Sequence, residues 1–166
     1  LPIETNDEGK ENLFAGRCDV YTTDASGLSS TRAAAADPSK WLVLPEIISK
    51  EPLGPLVRHG DHQWGDVVRW SLNAMIIAEE LGITSENVDA SLGSNVPEVL
   101  RLLGVEGSYG EMLELSPDWA YQILKQIGNY SESYEANVGP DTPLEIARGL
   151  NALWTQGGIL YAPPFR

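Results

Sequence analysis

The chain has 166 residues, of which 42% are hydrophobic and 21% charged, a length and balance that fit one globular domain and exclude a disordered polypeptide. Eleven basic residues against 24 acidic ones give a formal net charge of −13, which repels phosphate backbones and anionic lipid and argues against binding nucleic acid or a membrane surface. No apolar run reaches the roughly 18 residues of a membrane helix, so no direct membrane insertion is expected.

Leu1 follows neither a secretory signal nor an initiator Met and reads as a cut end. Leu1 to Thr5 reads as the end of a strand, with Asn6 or Asp7 capping a short helix through Leu13 and Phe14 that Gly16 closes. Asp19 to Thr23, with Val20 and Tyr21, predicts a short buried strand. A helix follows from Ala25 through Leu28 and Arg32 to Ala36, stopped by Asp37-Pro38. Trp41 to Leu44 and Leu53 to Arg58 predict two further strands. Pro45, Pro52 and Pro55 keep this stretch extended, at a sheet edge or a crossing between lobes. Alternating strands and helices indicate an α/β layer.

The second half reads as helical. Asp61 caps a helix from Trp64 to Leu81, stopped by Gly82 and apolar enough to be mostly buried. Asn95, Pro97 and Glu98 mark a short helix to Leu103 that Gly104 ends. Ser116-Pro117-Asp118 starts a long helix through Ala120, Ile123, Leu124, Ile127, Tyr130, Tyr134 and Val138, bent at Gly128. Thr142-Pro143-Leu144-Glu145 predicts a capped helix through Leu150, Leu153 and Trp154 to Gly157-Gly158, followed by an extended tail. The composition shift at Ser49 to Gly60 is the best internal boundary.

Few motifs carry chemistry. His59 and His62 lack further ligands at zinc spacing and read as solvated loop residues, so no metal site is expected. No GxSxG, HExxH, P-loop or GxGxxG pattern occurs, and no catalytic residue stands out. Asn129-Tyr130-Ser131 fits a glycosylation sequon but falls on a predicted helix. The lone Cys18 reads either as a small buried hydrophobe or as a disulfide partner of a cysteine outside the chain. Asp24 is the one acid in a distinctive place. It ends a predicted strand and precedes a helix, where open α/β sheets bind ligands, and suits a cation such as an ammonium group. The same position suits an N-cap aspartate, and the residues alone leave both roles open.

The stretch Ala15-Gly-Arg-Cys-Asp-Val-Tyr-Thr-Thr-Asp24 resembles the lobe-two motif of periplasmic substrate-binding proteins of polar amino acid ABC transporters. The set Leu44-Pro-Glu, Ser49 to Arg58, Gly128-Asn-Tyr, Asn137-Val-Gly-Pro140, Ala147 to Trp154 and Tyr161-Ala-Pro-Pro164 is similar to their general L-amino-acid-binding branch. The resemblance implies the C-terminal portion of a two-lobe, type 2 clamshell of α/β class with a largely helical C-terminal half. Residues 1–48 would end lobe two; residues 49–166 would return to lobe one and add a helical extension. It further implies an L-amino acid ligand, a membrane permease of an ABC transporter as partner, a periplasmic location, no cofactor and no catalysis. By the same resemblance Asp24 holds the ligand's α-ammonium, Thr23 reaches its side chain, and Cys18 pairs with a cysteine in the earlier part of lobe two. The arginine that holds the α-carboxylate would lie before Leu1, so Arg17, Arg32 and Arg58 are not assigned that role. The alternatives are a stand-alone structural or interaction protein derived from such a half, and an enzyme that uses acidic residues.

Overall fold

The computed structural model describes residues 2–50 and 52–165, which leaves Leu1 of the expected first strand, Glu51 and Arg166 of the tail outside the described residues. The chain divides into two compact units. One comprises Leu1–Leu53 with Val138–Ala147, and the other Gly54–Asn137 with Arg148–Arg166.

In the first unit, α1 (Asn6–Phe14) is capped by Thr5, whose hydroxyl accepts from the Glu8 amide at 3.2 Å. The cap is therefore Thr5 rather than Asn6 or Asp7, and Gly16 turns the chain away at φ 68°. Helix α2 (Ala25–Ala33) stops short of Ala36, and Pro38–Lys40 forms a 3-10 turn that Asp37 caps. Segment 138–147 is held within this unit by Arg32, which donates to the Glu145 carboxylate at 2.7 Å and to the Leu144 carbonyl at 3.4 Å.

The three predicted strands require correction. Among the described residues, 19–23, 41–44 and 53–58 form no strand and join no ladder, and the one bridge links Leu153 to Leu160. A strand, unlike a helix, cannot pair its own backbone; it needs a neighbour within reach. Nor is residue 19–23 a buried segment: Val20 is 69% exposed. Tyr21 and Trp41 point inward, Tyr21 against Gly9 and Trp41 edge-on to Phe14 at 5.3 Å between ring centroids.

The second unit is built on α3 (His62–Glu80), capped by Asp61 and ended before Gly82. Its C-terminal half buries Ala74, Ile76, Ile77 and Ala78, while its N-terminal half is half-buried and Trp64 exposed. Around it lie α4 (Val88–Ser91), α5 (Pro97–Leu102), α6 (Tyr109–Met112), α7 (Trp119–Gln126) and α8 (Tyr130–Asn137). Helix α3 packs on α7 and α8, and α4 on α7. Helix α5 has Val96 rather than Asn95 at its N-cap, with no side-chain cap bond. Gly104 ends it at φ 74°, where a Cβ would collide with the Pro117 carbonyl.

The expected long helix is two helices. Gly128 turns left-handed at φ 90° and closes α7. Asn129 and Glu132 then cap α8 reciprocally, Glu132 N–H to Asn129 Oδ1 at 3.0 Å and Asn129 N–H to Glu132 Oε2 at 2.8 Å. That is a capping box inside an apolar stripe, and the stripe concealed it. Asn129 is buried and donates to the Ile83 carbonyl at 2.7 Å, so its amide is not open to glycosylation in the folded chain.

The expected helix from Thr142 does not form. The Thr142 hydroxyl donates to the Gly139 carbonyl and accepts from the Leu144 amide, and Glu145, its carboxylate drawn to Arg32, sits at φ 52°. A left-handed residue cannot continue a right-handed helix. Two 3-10 turns, Gly149–Asn151 and Trp154–Gln156, follow instead, and only Leu153 of the expected stripe is buried.

Two anchors tie the chain end to this core. Phe165 is buried among Trp70, Tyr109 and Trp119, with centroids 5.2 to 6.2 Å away, and its carbonyl accepts from Arg101 Nε at 3.1 Å. Arg148 Nη2 donates to both oxygens of buried Glu79 at 3.0 and 3.1 Å, with its guanidinium 5.3 Å from the ring centres of Tyr130 and Tyr134. Phe165→Ala should therefore cost about 3–5 kcal/mol in urea unfolding. Arg148→Ala should cost a similar ~3–5 kcal/mol, since it strands a buried carboxylate; a loss under ~1 kcal/mol in either variant would show that the anchor is dispensable.

Candidate functional site

Asp24 stands where extended residues 19–23 give way to α2, with non-helical φ −58° and ψ 151°. Its side chain caps the helix: Oδ2 accepts from the Gly27 amide at 2.8 Å and from the Ser26 hydroxyl at 2.6 Å. Oδ1 accepts from the Thr23 hydroxyl, at 3.3 Å. Gly27 is needed for this approach, since a Cβ there would stand 3.0 Å from Oδ1 and 3.1 Å from Thr23 Cγ2. Thr31, one turn on and buried, donates its hydroxyl back to the Gly27 carbonyl at 2.8 Å and stiffens the first turn.

Asp24 and Thr23 are both half-buried and adjacent, so the two predicted binding residues do come together. The Ser26 hydroxyl, followed by the Gly27 amide, holds the Asp24 carboxyl below its ordinary value; burial opposes them, and the Thr23 hydroxyl adds a lesser lowering. The group is thus a fixed anion at neutral pH with one oxygen lightly engaged. Ser26 and Gly27 were not singled out from the sequence, although Asp-x-Ser-Gly, with acceptors and donors two and three residues apart, is the signal that finds them.

Cys18 is half-buried with a free thiol, in the loop after Gly16. Arg17 is engaged with Asn12 Oδ1 at 3.0 Å and Arg32 with Glu145, while Arg58 is exposed. His59 and His62 are exposed, and among the described residues no three His, Cys, Asp or Glu side chains converge on a metal position. Two hollows, each described within its own unit, measure about 330 Å³, bordered by Trp70, Tyr109 and Phe165, and about 300 Å³, bordered by Phe14, Asp37 and Trp41. Neither is lined by Asp24 or Thr23; the first is bordered by no charged side chain, and the Asp37 and Lys40 that border the second pair with each other at 3.7 Å.

No family model matches the chain. It is 54% identical over 165 residues to the glutamate/glutamine/aspartate/asparagine-binding protein BztA of Rhodobacter capsulatus, a match covering 99% of this chain and 49% of that protein. It is 56% identical over 154 residues to the general L-amino acid-binding periplasmic protein AapJ of Rhizobium johnstonii, covering 92% of this chain and 45% of that protein. A solved ABC transporter/periplasmic binding protein from Brucella ovis with glutathione bound superposes with a TM-score of 0.92 at 49% identity, covering 99% of this chain and 52% of that one. The chain spans about half the length of the curated relatives it matches.

The folded-state pKa of Asp24 lies below the unfolded value of about 3.9. Its cap therefore stabilises the fold above that pH and is lost as pH falls through the folded value. Carbon-detected NMR titration should give Asp24 a lower midpoint than solvent-exposed aspartates, and Ser26→Ala should raise it. An unchanged midpoint in Ser26→Ala would contradict the hydrogen-bond origin of the shift.

Proposed function

From a chain homologous to the C-terminal half of periplasmic binding proteins of amino-acid ABC transporters, we propose that it supplies the ammonium-binding side of an L-amino acid site and, within the full-length protein, serves delivery to a membrane permease. The observation that carries this reading is the Asp24 carboxylate, ionised and clamped by Ser26 and Gly27 with Oδ1 left lightly engaged. Thr23 lies beside it and takes the place next to the ligand side chain. The work is binding and release, without catalysis, in the periplasm.

An ammonium offers three donors and a positive charge, and a charge-assisted hydrogen bond to a carboxylate is worth about 1.5–3 kcal/mol once water is excluded. Exposed to water the same pair gives about 0–1 kcal/mol, too little to offset the entropy of association. Affinity thus belongs to the closed clamshell, whose carboxylate clamp would come from the half of the relatives' length outside the match. Residues 1–48 act here as the end of lobe two and 49–166 as the return to lobe one with its extension, and Cys18 pairs with a cysteine of the other half.

The relatives' ligands favour a head-group reading. BztA is named for four amino acids and the Brucella protein holds glutathione. Glutathione's γ-glutamyl residue keeps a free α-ammonium and α-carboxylate, so one pair of charged contacts serves both kinds of ligand. Calorimetry tests the reading. In the full-length protein Asp24→Ala should weaken L-glutamate binding by about 3–5 kcal/mol, since a buried ammonium is left unpaired, and the isolated 166 residues should bind no tighter than millimolar. Micromolar binding by the isolated chain, or full affinity in Asp24→Ala, would place the site elsewhere.

A further inference from the structure

Helix α2, which Asp24 caps, buries only Ser29 and Thr31, and its one large apolar residue, Leu28, is half-buried. A helix of nine residues is marginal by itself and ordinarily takes its place from an apolar face packed on a core. Lacking such a face, α2 depends on polar contacts for its direction. Among the described residues its side chains bond locally except for Arg32, in its last turn. Arg32 Nη2 donates to Glu145 Oε2 at 2.7 Å and to the Leu144 carbonyl at 3.4 Å. Two costs meet at this contact. Glu145 lies at φ 52°, in the left-handed region that a side chain disfavours. Arg32 Nε is buried with no hydrogen-bond partner among the described residues. The Glu145 side chain is 61% exposed, and an ion pair that wet adds little stability to set against such costs. Strain of this kind gathers at binding sites and switches, held there by the surrounding structure.

We infer that Arg32 and Glu145 are positioning residues for the ligand site, an inference that rests on the reading of Asp24 as the ammonium partner. The loop 138–147 grips α2 at its C-terminal end and so aims the Asp24 carboxylate at its N-terminal end. That loop is closed on itself. Ile146 N–H donates to the Val138 carbonyl at 3.0 Å, Glu145 N–H to the Thr142 carbonyl at 3.1 Å and Thr142 N–H to the Gly139 carbonyl at 3.0 Å. A compact loop with tied ends holds its carboxylate in place without help from Arg32. The bonds from Ser26 and Gly27 fix Asp24 on α2 but do not fix α2 itself. At 1.5 Å per residue α2 is about 13 Å long, so a tilt of ~10° about Arg32 displaces Asp24 by roughly 2 Å. A charged hydrogen bond does not survive such a shift, since N–H···O contacts lie between about 2.7 and 3.2 Å.

Calorimetry with L-glutamate and hydrogen exchange without it, both on the full-length protein, test this. Glu145→Gln keeps the size of the side chain and loses its charge, while Glu145→Gly also relieves the strain at φ 52°. Both should weaken L-glutamate binding about threefold to fivefold, the most that a half-exposed ion pair commands. The melting midpoint should hold in Glu145→Gln and hold or rise in Glu145→Gly, which a merely structural brace would not allow. Arg32→Met should match the Glu145 variants, and Arg32→Lys, which keeps the charge, should recover most of the affinity. Amides of Ser29 to Arg32 should exchange faster in ligand-free Glu145→Gln than in wild type. Asp66→Asn, which breaks the exposed Arg69–Asp66 pair of the second unit, should change neither measurement. Full affinity in both Glu145 variants while Asp24→Ala loses binding would overturn the proposal and leave the ligand reading standing. Weaker binding without faster exchange in α2, or an Arg32→Lys as weak as Arg32→Met, would overturn it too. Full affinity in Asp24→Ala would sink the ligand reading, and this inference with it.

Discussion

Extended backbone needs a partner, and that requirement divides this molecule. In the second unit every long element is a helix that closes its own hydrogen bonds, and apolar side chains of α3, α7 and the chain end at Phe165 complete a core. In the first unit, two helices are accompanied by extended segments whose alternate side chains are uncovered. The first unit therefore has its helices in place, while the segments between them join no ladder among the described residues.

Asp24 shows how one carboxylate can serve both structure and binding. Capping uses Oδ2, through Gly27 and Ser26, while Oδ1 takes the long bond from Thr23. The cap bonds hold the carboxylate in one rotamer and favour its ionised form, which is the state an ammonium requires. The two readings left open by the sequence are thus compatible in geometry. Orienting the group in advance lowers the cost of ordering it when a ligand arrives. The enclosure that makes such a charge pair strong is a property of two lobes, not of one carboxylate.

Local signals were the legible ones. Asp61 with Gly82 framed α3, and Gly16 and Gly104 marked chain reversals, because caps and left-handed turns are decided within a few residues. The apolar stripe from Ala120 to Val138 hid the break at Gly128, since a periodic pattern survives a turn that keeps the same face inward. Thr142 to Glu145 satisfies a capping-box pattern yet forms a turn, because Arg32, 113 residues away in sequence from Glu145, draws off the carboxylate the box needs. Trp41 to Leu44 was read as a strand and joins no ladder among the described residues; propensity reports the preference of a segment and says nothing of whether its neighbour is present. At the site, position and charge put Asp24 forward and the family resemblance added Thr23, whereas the bonds from Ser26 and Gly27 emerged only from the structure.

The central claim is that an amino acid's ammonium meets Asp24. A crystal structure of the full-length protein with bound L-glutamate tests it most directly. The account predicts Asp24 Oδ1 within about 2.7–3.2 Å of the ligand nitrogen, with the Oδ2 cap on Gly27 retained. A bound ligand whose ammonium is held by other residues, with Asp24 left only as the cap of α2, would contradict it.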